Sequence, residues 1–96
     1  MRLDLFLKKT CVVRQRSVAK EICDAGAVRI NGQPAKASQN VRSGDTVRLQ
    51  LAHRDLELRV LDVPHGNVAK RDAARYVEIL RDDHRDDLDR VFDPEP

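Results

Sequence analysis

The spacing of apolar residues changes period at Gly26. Ahead of it, Leu3, Phe6 and Leu7 stand at i, i+3 and i+4, and Val18, Ala19, Ile22 and Cys23 repeat at helical spacing. Beyond it, Val28 and Ile30, then Val47, Leu49 and Leu51, then Leu56, Leu58 and Val60 alternate with other residues. A period near 3.6 gives a helix with one buried face, and a period of 2 gives a strand with one buried face. A chain of 96 residues has room for one core. Both patterns must therefore close on each other, as two N-terminal helices packed on a small, mostly antiparallel sheet. That is an α+β fold.

Local signals set the boundaries. Lys8 and Lys9 stand near the end of the first helix, where positive charge suits the helix dipole. Ser17 reads as the N-cap of the second helix, and Gly26 as its left-handed terminus. Asn31-Gly32 calls for a tight hairpin turn with both φ angles positive. Gln33 to Ala37 would return as a short arm, which Pro34 confines to an edge. Ser43-Gly44-Asp45 turns into the strand at Val47–Leu51, and Leu56–Val60 pairs with it as an antiparallel hairpin. After the break at Pro64-His65-Gly66-Asn67, residues Ala69, Ala73, Tyr76, Val77 and Leu80 share one face of a helix. The C-terminal segment is read first as helical, with an extended run as the alternative. From Arg81 onward the chain holds seven acidic and three basic residues. Residues 1–80 are therefore taken as the domain and 81–96 as an acidic, flexible tail, with Asp93-Pro-Glu-Pro disordered.

Charge is unevenly distributed. Residues 1–52 carry ten Lys and Arg against four acids, a balance of +6, and residues 53–96 carry eight against twelve, a balance of −4. A basic half on so short a chain points to a polyanion partner for one face. With only Phe6, Tyr76 and Phe92 as aromatics, the core has to be aliphatic. Cys11 and Cys23 are too few and too far apart for a metal knuckle or a disulfide framework. Their apolar neighbours suggest two buried free thiols in a reducing, cytoplasmic setting. The first nine residues interleave charge with apolar groups, unlike a secretory leader, and no stretch approaches a membrane span. His53, His65 and His84 have no metal spacing, and Asp82, Asp83, Asp86 and Asp87 read as a solvated face rather than a cation site. No phosphate-binding glycine loop or nucleophile elbow occurs. The chain is expected to be no enzyme and to need no metal or cofactor.

The motifs in order are Arg2-Leu3-Asp4-x-Phe6-Leu7, Arg14-x-Arg16-Ser17-x-Ala19, Gly26-x-Val28-x-Ile30-Asn31-Gly32, Lys36-x-Ser38 and Gly44-Asp45. This series resembles the RNA-binding domain first named from small-subunit ribosomal protein S-four, the αL motif, over residues 1–52. Among its short subfamilies, Asn31 to Asp45 and Asp72 to Leu80 are similar to the RqcP family of bacterial ribosome-associated quality control. The related heat-shock recycling family carries a long basic tail where this chain is acidic.

The resemblance implies a factor that binds large-subunit rRNA and the tRNA beside it on stalled large subunits, assisting C-terminal tailing of stalled chains. A protein tailing factor would be a further partner, and the chain would act as a monomer away from membranes. Recycling of obstructed large subunits, or an adaptor role for the acidic half, are the alternatives. Carried over by position, Arg2, Arg14 and Arg16 are the first choices for RNA contact, followed by Lys8, Lys9, Lys20, Arg29 and Lys36. Arginine suits the task because its planar fork meets a phosphate through two bonds. Structured RNA is read chiefly through such phosphate and 2′-hydroxyl contacts.

Overall fold

The computed structural model of the chain describes residues 1–52, 54–66 and 68–84. Its elements are α1 (Leu3–Lys9), α2 (Arg16–Asp24), β1 (Val28–Ile30), β2 (Gln33–Pro34), β3 (Thr46–Gln50), β4 (Arg54–Val60), a 3-10 turn (Lys70–Arg75) and β5 (Val77–His84). The five strands form one antiparallel sheet in the order β2-β1-β3-β4-β5. The expected α+β architecture is thus present.

Both helices stop in the same way. At the end of α2 the Gly26 amide donates to the Cys23 carbonyl and the Ala27 amide to that of Ile22, each at 3.0 Å. At the end of α1 the Cys11 amide donates to the Lys8 carbonyl at 3.1 Å and the Val12 amide to that of Leu7 at 3.0 Å. Each pair is a Schellman motif, which takes up the last free carbonyls and needs a left-handed residue. Gly26 supplies it at φ 78°, as the sequence led one to expect, whereas α1 uses Cys11 at φ 62°. That conformation holds Cys11 at the surface, so of the two thiols only Cys23 is buried. Burial, then the charges of Asp4 and Asp24, push the Cys23 thiol up to about 11.

Ser17 is not the cap of α2. The helix begins two residues earlier than that cap implies, at Arg16, with Gln15 in extended geometry as N-cap and no side-chain cap bond. The Ser17 hydroxyl lies 3.4 Å from the side-chain oxygen of Gln15 instead.

The sheet follows its turns. Asn31 (φ 52°) and Gly32 (φ 81°) make the two-residue loop between β1 and β2. The Asn31 amide group does more than turn: it donates to Asp45 at 3.1 Å and accepts from the Thr46 backbone at 2.9 Å. One side chain therefore locks the first hairpin to the entry of β3. Pro34 lies in the edge strand β2, where its missing N–H leaves no ladder bond unmade. Leu3, Phe6 and Leu7 of α1 and Ala19 and Cys23 of α2 pack on Val28, Val47, Leu49, Leu56, Leu58 and Val60 from one face of the sheet. Tyr76 is half-buried against this core, though at the end of a 3-10 turn rather than on a helix face.

The helix over Val68–Leu80 does not form. Lys70–Arg75 make a 3-10 turn and Val77–His84 become β5, paired along the whole of β4. Without β5, β4 would present a full row of unpaired amides and carbonyls. Satisfying that edge outweighs the helical spacing of a few apolar residues. The strand also takes Arg81, Asp82, Asp83 and His84, so the sheet extends four residues into the segment expected as a tail. Leu80 is the extra residue of a bulge, since Leu58 opposes Ile79 while Glu57 opposes Arg81. A bulge followed by three charges blunts this outer edge. The rest of the acidic stretch, with Asp86, Asp87, Phe92 and the Asp93–Pro96 end, lies outside the described residues. Among the described residues no helix is long and apolar enough to cross a membrane.

Candidate nucleic-acid interface

The first turn of α1 is fastened to the loop before β3. The Leu3 amide donates to the Gln39 carbonyl at 2.7 Å and the Asp4 amide to that of Ala37 at 3.1 Å. Two of the unsatisfied amides at a helix start are so occupied, and Arg2 pairs with Asn40 beside them. The Asp4 carboxylate takes the Leu5 amide at 2.7 Å. It also accepts from Arg2 through Nε and Nη2, both at 3.3 Å, and from Arg16 through Nε at 3.2 Å.

Burial decides what this triad does. The Asp4 side chain is 3% exposed, while those of Arg2 and Arg16 are each 48% exposed. Burial pushes the Asp4 carboxyl up. The hydrogen bond from Arg16, the Leu5 amide and the charges of Arg16 and Arg2 outweigh it, and the net shift is downward. One sunken negative charge thus orients two half-exposed positive ones. Arg16 keeps both Nη groups, and Arg2 its Nη1, for an outside acceptor, with no other partner for them among the described residues. Asp4 was legible as part of a motif, yet its positioning role was missed. The signal was an acid two residues after Arg2 in an otherwise basic segment.

The structure sorts the expected RNA-binding residues into three places. Arg2, Arg16 and Lys20 line one shallow groove, and Arg2, Lys20 and Lys36 line the adjoining one, so these four share a face. Lys8, Lys9 and Arg14 gather at the far end of α1 around a larger groove, joined there by Lys70. Lys70 was not expected. Its signal was the Lys70-Arg71 pair within an acidic half. Arg29 stands apart, on the open face of the sheet directly opposite Arg48. Arg48 is held there by Asp55 through bonds of 3.1 and 2.8 Å.

Along β4 and β5 three further arginines lie against acids. Arg54 makes a two-bond pair with Asp82 at 2.8 and 2.9 Å, and Arg59 and Arg81 lie near Glu78 and Asp83. Among the described residues no group of His, Cys, Asp and Glu could hold a metal ion. The described surface therefore offers a clustered cationic face.

Comparison with known proteins agrees with this geometry. Residues 1–47 match the model of the S4 domain. The chain is 36% identical over 80 residues to the RQC P-site tRNA stabilizing factor of Streptococcus pneumoniae, covering 83% of this chain and 90% of that one. It is 30% identical to the Heat shock protein 15 homolog of Aeromonas salmonicida, covering 83% of this chain but 58% of the relative. The solved structure of Vibrio cholerae Heat Shock Protein 15 superposes with a TM-score of 0.76 at 25% identity, over 82% of this chain and 80% of the other. The chain belongs to the non-enzymatic, S4-domain family of RQC P-site tRNA stabilizing factors.

Proposed function

We propose that this protein stabilises P-site tRNA on the stalled large ribosomal subunit during ribosome-associated quality control, binding large-subunit rRNA and tRNA through the face of Arg2, Arg16, Lys20 and Lys36. The observation that carries this is the buried Asp4 holding two half-exposed arginines side by side. A guanidinium fixed in place loses less rotamer freedom when a phosphate arrives, so more of each contact appears as affinity. The mechanism is stabilisation by binding. The protein favours one tRNA position by the difference in its affinity for the two positions, and by no more than that. It would work in the cytoplasm as a monomer, next to the protein that adds the tail. Near end-to-end coverage of the quality-control relative, against 58% of the heat-shock homolog, supports tailing over recycling.

Sedimentation of tagged protein through a sucrose gradient of lysate tests this, for wild type and Arg2→Ala/Arg16→Ala at low and high salt. Wild type should travel with large subunits and be stripped by salt, and the double variant should stay at the top. Wild type remaining at the top at low salt would overturn the proposal.

A further inference from the structure

A groove with a volume of about 680 Å³ lies at the other end of α1, away from the Arg2–Arg16 face. Leu5, Val13 and Val68 supply its apolar surface, and Lys8, Lys9, Arg14 and Lys70 its polar one. Among the described residues no acid lines it. One wall is α1 with the linker that follows, and the other comes from the segment before the 3-10 turn. The two are tied by the Lys9 ammonium, which donates to the Gly66 carbonyl at 2.7 Å. Neither Lys8, Arg14 nor Lys70 is paired with an acid among the described residues.

We propose that this groove is a second RNA site, which takes an unpaired nucleotide with its base on Leu5, Val13 and Val68 and its phosphates on Lys8, Arg14 and Lys70. Phosphate contact alone needs only cations. An apolar floor between them suits a ligand that is anionic at one end and flat and poorly hydrated at the other. An unstacked nucleotide has that chemistry, and single-stranded RNA is held by this combination of cationic track and apolar platform. Continuity with the first face favours RNA over an acidic protein. The seven residues of α1 span about 10 Å, so a strand leaving Arg2 and Arg16 reaches the groove within a nucleotide or two. The inference rests on the proposed RNA-binding function and adds to it a site and a ligand class.

The test uses the full chain and a fluorescent single-stranded RNA octamer, with two probes of equal charge beside it: an abasic octamer and a glutamate peptide. Wild type should prefer the octamer to the abasic strand by about tenfold, near 1.4 kcal/mol. Val68→Ser should erase most of that preference while leaving the salt dependence unchanged. Lys70→Gln should weaken both nucleic acids and reduce the salt slope by about 0.7, the value for one phosphate contact on a single strand. Thermal melting of each variant confirms that it is folded. Equal binding of the abasic strand and the octamer would overturn the base-binding site. A glutamate peptide binding as tightly as RNA would overturn it in favour of a protein-docking surface. The assay contains no ribosomes, so its failure leaves the gradient result standing, and failure of the gradient leaves the octamer result standing.

Discussion

Around α1 and α2 a single buried carboxylate, Asp4, serves two arginines; along β3, β4 and β5 Arg48, Arg54 and Arg59 each meet a different and more exposed carboxylate. The residue types are the same and the outcomes opposite. In the first region the acid is sunk to 3% exposure and the arginines keep donors for an outside partner. In the second, the acids stay within reach of water, and Arg54–Asp82 and Arg59–Glu78 lie at similar depth and cancel, the latter at 51% and 53% exposure. Net charge by segment therefore understates the contrast. A cation becomes a binding group when its neutralising acid is buried beneath it and shared.

Removing Asp4 should break this contrast most sharply. In Asp4→Ala, Arg2 and Arg16 lose their common acceptor and the Leu5 amide loses its cap. We expect a loss of about 2–3 kcal/mol in urea unfolding, moderated because both arginines can turn to water. Large-subunit binding should also fall by about tenfold, although a negative charge has left an RNA-facing surface. Tighter binding would show that Asp4 only repels phosphate. Acid should imitate the substitution. A folded-state pKa held below the ordinary value of 3.8 contributes stability that is present above that value and lost as pH falls through the lower, folded one. The stability gap between wild type and Asp4→Asn should therefore narrow between pH 6 and pH 3.

A middle-sized effect tests the frame that carries the charges. α1 and α2 end in the same motif, one on Cys11 at φ 62° and the other on Gly26 at φ 78°. A left-handed backbone costs an L-residue about 1–2 kcal/mol, and glycine gives back about 0.5–1 in lost chain entropy. A Cβ on Gly26 would meet nothing within 4 Å, so Gly26→Ala reports backbone strain alone. It should destabilise by about 1 kcal/mol, and Cys11→Gly should stabilise by about half that. If both variants destabilise equally, the Cys11 side chain contributes something that its exposed position does not reveal.

How much of this was readable beforehand depends on the range of the interaction. α1, α2, the Asn31-Gly32 hairpin and the β3–β4 pair came from local period and turn chemistry, and they stand as expected. The failures are of two kinds: local terminus geometry misplaces Ser17 and Cys11, and a distant strand edge decides Val77 to Leu80. Val77 to Leu80 carries helical spacing and also a short alternation of Val77 and Ile79. Only the unpaired edge of β4, some twenty residues earlier, decides between them. Cys11 sits among apolar neighbours in sequence, yet the closing of α1 turns it outward. Of the eight residues expected to bind RNA, the fold gathers Arg2, Arg16, Lys20 and Lys36 on one face and Lys8, Lys9 and Arg14 at another, and isolates Arg29. Spacing along a chain states which residues are basic. Which of them share a face depends on how α1 crosses the sheet.

The smallest expected effect is the control for the whole comparison. Arg54 and Asp82 form the best-aligned ion pair of the sheet region, with bonds of 2.8 and 2.9 Å. Their side chains are 40% and 34% exposed. The hydrogen bond to Asp82 raises the Arg54 pKa further above its ordinary value, but an arginine is charged at any working pH, so this has no functional consequence. Water screens a pair at this depth, and holding two long side chains in register opposes the gain. Arg54→Ala should therefore change urea stability by no more than about 1 kcal/mol and leave sedimentation with large subunits unaltered. The same alanine at Arg2 removes no more positive charge. Arg2→Ala should weaken sedimentation with large subunits; if Arg54→Ala did so equally, total charge would be what binds RNA, and the buried Asp4 would have no special part in it.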